Sequence, residues 1–484
     1  MKSELNFMIK YKDGSTVNMH DLGVWVESFQ IHSPDAERTL MEIPGVSGSR
    51  LGASRIKVRK VEIVLQLESD SLLSFDNLKH TIYNTFYSED EFTIIRDLTP
   101  TKEINVIQEG SYDIENITCS DGSAEIELIM LDPFVYSDEK PYTLPNTVQN
   151  NGTKETYPKF DLTVNQPITH LDLITKDGYL RIGTPPSIDE VPTEKYQRVL
   201  WSECSSLVGW SNLGTVVDGG DATGTLKTNG VRFEAESHGS GTNWHGPAYK
   251  TSVPNGPLKD FRVEAIIEQW NTSIVDLIGR IEIYLLDDNN NVIAKMALKD
   301  VFPSSSNHMA EVRLGPQGTG KFIINEHGDR AGAWNDFYGM MRIERIGNIW
   351  KAYVAKIDKT TREHHTRREV TFIDVENEIT SNLAQVQIHL GAQGSHTTAY
   401  HAIYDVKVYK INSLTDMEIP YIATDGDKFE IDHNLNRILK NGEPFNNEKD
   451  FASKFFALGK GETEIKINPP NVATGVVTFR ERSL

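Results

Sequence analysis

Hydrophobic and polar residues alternate with a period of two along most of the chain. Val24, Val26 and Ser28 face away from Trp25, Glu27 and Phe29. The stretch Ile56-Lys57-Val58-Arg59-Lys60-Val61-Glu62-Ile63-Val64-Leu65 repeats the alternation over a greater length. A strand with two unlike faces requires this pattern. Further strands are expected at 5–11, 92–97, 104–108, 112–118, 124–131, 159–165, 169–175, 178–183, 261–268, 280–286, 292–298, 339–346, 349–357, 385–391 and 402–410. One helix interrupts them, because Leu72, Phe75, Leu78, Ile82 and Phe86 share a face at spacings of three and four. Residues 137–158 are polar and rich in turn formers and read as a linker or domain edge; 184–195 hold three prolines and read as a second linker.

The pattern also divides the chain. At 484 residues it exceeds a single core and suggests roughly three domains. Six of the seven tryptophans and nine of the fourteen histidines fall within 198–410, where evenly spaced strands argue a jelly-roll type of β-sandwich. On either side, 159–183 and 425–484 are each too short to close a sandwich alone. Together they make one, so 196–412 is expected to be inserted into a loop of it. The expected fold is all-β: an N-terminal β-domain with one helix (1–135), then a sandwich in two parts (136–195 and 413–484) split by the insert (196–412).

Charge and cysteine usage narrow the function. A net charge of -20 lacks the basic footprint of a nucleic-acid binder. Cys119 and Cys204 are far apart and are expected to be unpaired thiols rather than a disulfide or a zinc site. No run of about 18 apolar residues suggests membrane insertion. The N-terminal MKSELNFMIKYKDG shows no signal-peptide core, so synthesis and first folding in the cytosol are expected.

Particular residues then resemble a known family. They are Ile43-Pro44-Gly45-Val46-Ser47-Gly48, the alternating strand 56–67 with the helix, and Leu131-Asp132-Pro133-Phe134-Val135-Tyr136. Tyr157-Pro158-Lys159-Phe160 through Gly183 follow, and after the insert come Gly426-Asp427-Lys428-Phe429-Glu430-Ile431-Asp432, Leu439-Lys440-Asn441-Gly442 and Phe456-Ala457-Leu458-Gly459. This set resembles the distal tail proteins of siphophages. The resemblance implies a hexameric ring formed by 1–135, a galectin-like sandwich outside it, and partners in the tail tube protein and the tail-associated tip protein. It implies a place in the virion, at the tail tip. Val46 stands where many relatives carry a basic residue, so that position is given no role. The insert, through Gly241-Thr242-Asn243-Trp244-His245-Gly246-Pro247, resembles carbohydrate-binding modules of enlarged relatives, which implies host cell-wall polysaccharide as a ligand.

Sugar recognition needs an exposed ring, because the C–H face of a pyranose stacks on an aromatic surface. Trp244 and Trp334 are the expected platforms, since each lies in a Gly- and Asn-rich stretch; Trp270 and Trp350 border strands and read as structural. Asp287-Asp288-Asn289-Asn290-Asn291 offers oxygens that suit Ca²⁺ but lacks the glycine and terminal glutamate of an EF-hand, so it reads as a hairpin turn and no cofactor is expected. His364-His365 with Arg367 and Arg368 reads as a solvated hairpin tip. The competing classes are a jelly-roll glycoside hydrolase or lyase, for which Glu264 and Glu268 share a strand face, and a bacterial surface adhesin. No nucleophile or acid-pair motif accompanies the two glutamates, and no enzyme is expected.

Overall fold

The computed structural model describes residues 2–214, 216–271 and 277–484. It is all-β apart from one α-helix and two short 3-10 turns among the described residues. Alternation sets the N-terminal part. In Arg59–Glu68 the side chains of Val61, Ile63, Leu65 and Leu67 are buried, while their neighbours face outward. This strand lies between Val24–Ile31 and Asp121–Met130. The helix Leu72–Phe86 begins at Ser71, whose hydroxyl accepts the Ser74 N–H at 3.2 Å, and it buries Phe75, Ile82 and Phe86. Capping by serine and an apolar stripe together account for it.

Residues 137–158 are a correction. They hold two strands, Val135–Thr143 and Asn146–Asn150, rather than a linker. Val135–Thr143 pairs with Lys102–Gln108 on one side and with Ala473–Ser483 on the other, so one sheet runs from the N-terminal part into the next. Arg480 reinforces the junction with an ion pair to Glu103 at 2.6 Å.

Lys159–Val164 is flanked by Lys428–Asp432 and Ala473–Ser483, strands more than 260 residues later. Phe160, Leu162, Leu173 and Leu180 share a core with Phe429, Ile431, Ile465 and Val477. Between these two stretches, Val191–Thr193 runs parallel to Glu418–Pro420, bringing the ends of the intervening chain side by side. That chain builds two eight-stranded sheets around a third core, which includes Phe261, Val263, Ile283, Ile343, Trp350 and Val408. Fully burying each such side chain contributes about 1.5–3 kcal/mol. Cys119 is exposed, and Cys204 is buried in this third core. Among the described residues no helix is long and apolar enough to cross a membrane.

Candidate functional site: an aromatic sheet face

One of the two central sheets is built on Tyr400–Ile411, Phe261–Trp270, Phe337–Ile346 and Ile349–Ile357. Phe261, Val263, Ala265 and Ile267 point into the core. Period two then sends Arg262, Glu264, Glu268 and Trp270 to the outer face. A β-bulge breaks the register, with Ile266 opposite Asp405 but Ile267 opposite Ile403, and Tyr404 is the extra residue. The bulge turns Tyr404 onto the outer face, where its hydroxyl donates to Glu268 at 2.5 Å. Bulges often re-aim a side chain in this way.

Half of this face is covered. Arg262, Glu264, Arg342 and Tyr409 meet Asp427, Lys440, Glu443 and Phe445 of the neighbouring sandwich across a cleft of about 310 Å³. Arg342 donates to both oxygens of Glu443 at 2.8 and 2.7 Å, the planar fork matching the carboxylate. Burial pushes the Glu443 carboxyl up, but the Arg342 guanidinium more than offsets this and holds it below its usual range. Glu264 also sits here, 3.7 Å from Arg262 and 3.6 Å from Arg342. Glu268 lies in the other half with Lys359 as its ion-pair partner. The two glutamates of the hydrolase reading are therefore split between the halves, each against a cation.

Among the described residues nothing covers the other half. Trp270 is 48% exposed, and its ring lies 5.3 Å from that of Tyr400. Tyr338 and Tyr404 meet edge to face at 5.5 Å. The Lys359 ammonium is 5.0 Å from both the Trp270 and the Tyr338 rings. Arg232 lies 5.6 and 5.5 Å from the Tyr400 and Tyr404 rings, and Tyr400 donates to Glu234 at 3.2 Å. Burial raises the Tyr400 and Tyr404 phenols above their ordinary range, and for Tyr404 the hydrogen bond to Glu268 adds to the shift. The result is a group of rings ringed by hydroxyl, ammonium, guanidinium and carboxylate. Such a surface can stack a sugar ring and hydrogen-bond its hydroxyls.

The two tryptophans expected from the sequence lie elsewhere. Trp334 is 1% exposed and packs on Phe337 in the core, so it has no face to offer a ligand; that expectation is corrected. Trp244 is half-buried on Trp244–Gly246, with the Arg280 guanidinium 4.4 Å from its ring. Beneath it lies a closed charge network: Glu282 meets Arg280 at 2.9 Å, Lys295 at 3.0 Å and His389 at 2.8 Å. Lys295 continues it to Asp218 and Glu311. Trp350 is fully buried, as a structural residue should be, whereas Trp270 is not. Asp287 spends one carboxylate oxygen on the N–H groups of Asn289 and Asn291, which closes a hairpin turn. Among the described residues no group of three His, Cys, Asp or Glu is placed to hold a metal.

Comparison with known proteins adds the following. Residues 12–130 match a family described as a phage tail protein RIFT-related domain, and 394–482 match the siphovirus-type tail component, C-terminal domain. No curated protein matches. Among solved structures, the chain is similar to the CBM2 module of the evolved Dit from Lactobacillus casei BL23 phage J-1, at 14% identity and a TM-score of 0.39, over 46% of this chain and 100% of that one. It is similar to the Dit protein of SPP1, described as a paradigm of the hub adsorption apparatus in phages infecting Gram-positive hosts, at 16% identity and a TM-score of 0.32, over 37% and 74% of the two chains. It is also similar to the VIP36 exoplasmic/lumenal domain with Ca²⁺ and Man3GlcNAc, at 11% identity and a TM-score of 0.31, over 46% and 92%. Likenesses this distant carry no weight for function. A region near each end of the chain thus matches a tail-component family, and one continuous sheet joins the two matched regions.

Proposed function

We propose that this protein is a structural component of the tail-tip hub that contacts host-surface saccharide through the open half of its central sheet. It would bind without cleaving any bond. The observation that carries the reading is the cluster of Trp270, Tyr338, Tyr400 and Tyr404 on an uncovered face of a molecule whose two ends are tail-protein domains. The domain division follows as 1–135, 136–195 with 413–484, and 196–412, the last carrying the site.

Assembly as a hexameric ring, between the tail tube and the tip protein, has its own support. The hairpin Ala36–Glu42 with Ser49–Ile56 is exposed along almost its whole length, including Leu40, Met41, Ile43, Val46 and Leu51. A two-stranded arm with apolar side chains is at best marginal alone in water and gains stability by lying on a neighbouring copy. Six copies would let weak saccharide sites act together. The experiment is retention of the full chain on purified host cell walls, with released reducing sugar measured in parallel. Retention without release supports the reading, and release of sugar overturns its non-enzymatic part.

A further inference from the structure

Among the described residues, the charges that touch the open rings do not balance. Lys359 is paired with Glu268, and Arg232 with Glu234 at 2.5 Å. Arg362 is the third cation: one guanidinium N–H donates to the Tyr338 hydroxyl at 3.0 Å, and it forms no ion pair among the described residues. Among the described contacts of these rings, three cations thus face two carboxylates, on a chain whose net charge is -20.

Arg362 is also held in place. Its backbone is left-handed, with φ of 64°, a conformation L residues rarely adopt and keep only where the surroundings enforce it. Enforcement comes from the neighbouring sandwich. Gly442 approaches so closely that a Cβ on it would lie 1.9 Å from the Arg362 carbonyl oxygen. The His364 N–H donates to the Gly442 carbonyl at 2.9 Å, and Arg437 pairs with Glu363 at 2.6 Å. The loop carrying Lys359 and Arg362 is therefore braced against the rings, with guanidinium N–H groups left to donate.

We propose that the saccharide taken by this face is anionic, bearing phosphate or carboxylate groups, with a sugar ring on Trp270 and the charge met by Arg362. The inference rests on the reading of this face as the saccharide site. A guanidinium offers five N–H donors in a planar fork suited to such groups. A neutral glycan would gain nothing from the surplus charge. An anionic one would otherwise meet the repulsion of an acidic protein, which the local cations offset.

Two pairs of polymers test this: polygalacturonate against its methyl ester, and carboxymethylcellulose against hydroxyethylcellulose. Each pair keeps one sugar backbone and changes its charge. The full chain should bind the charged member of at least one pair roughly fivefold more tightly per site. That preference should shrink at about 0.5 M salt, where screening is strong. Arg362→Gln should remove the preference, and Trp270→Ala should remove binding to both members. Trp270-dependent binding that ignores charge overturns the anionic assignment and leaves the platform standing. Binding indifferent to Trp270, or none to any polymer, overturns the platform and the assignment with it.

Discussion

At the residue scale, exposure separates tryptophans that the sequence makes look alike. Trp334 and Trp350 are buried, and changing either to alanine should cost about 3–5 kcal/mol, read as a large drop in melting temperature. Trp270→Ala should cost about 1 kcal/mol or less, because half the ring is already in water. An equal loss of stability for Trp270 and Trp334 would contradict this division. Part of it was legible. Counting by two from Phe261 puts Trp270 on the face of Arg262 and Glu268, so the alternation held the signal for an outer residue. Reading a Gly- and Asn-rich stretch as an exposed loop misplaced Trp334, because composition says where a chain turns, not where a side chain points. Tyr404 was beyond reach, since a bulge shifts its parity.

Histidines supply a second test at this scale. Burial pushes the His433 imidazole down to about 3, and those of His238 and His364 to about 4. In the unfolded chain they titrate near 6.5. Above that value both states are neutral and the full stability is present. Between about 6.5 and 4 the unfolded chain binds more protons, so stability should fall as the pH falls. Melting temperatures measured from pH 7 to pH 4 should decline steadily, and a flat profile would count against neutral buried imidazoles.

Among elements, the braced loop matters most. Gly442→Ala should push the Arg362 carbonyl away and loosen the loop, because a Cβ has no room there and φ at Gly442 is 84°. Saccharide binding should weaken severalfold while circular dichroism stays that of the parent; unchanged binding would show that the brace is dispensable. The Asn- and Gly-rich turn at 439–442 was visible in the sequence for its backbone needs. Its contact with a loop some eighty residues earlier was not, because pairing between distant segments leaves no local pattern. Similarly, residues 137–143 of the strand Val135–Thr143 look like linker in the sequence, being polar and rich in turn formers. It is a bridging strand with mostly part-exposed side chains, so apolar alternation is not required of it.

For the whole molecule, the all-β class and the split sandwich were both foreshadowed by strand counts, since neither 159–183 nor 425–484 could close a sheet. The projecting hairpin at 36–56 was not foreseen, its polar strands showing no buried face. Replacing Leu40, Met41 and Leu51 by serine should leave the melting temperature nearly unchanged and lower the mass seen by light scattering from a ring to single chains. A parent chain that stays monomeric at high concentration would weaken the ring proposal.

The most direct test of the central claim is retention of the full chain on purified host cell walls, comparing the parent with Trp270→Ala/Tyr338→Ala and with Trp244→Ala. Loss of retention in the double variant alone, with its melting temperature close to that of the parent, is the predicted result. Full retention by the double variant, or loss on changing Trp244 alone, would contradict the assignment of the saccharide site to the open half of the sheet.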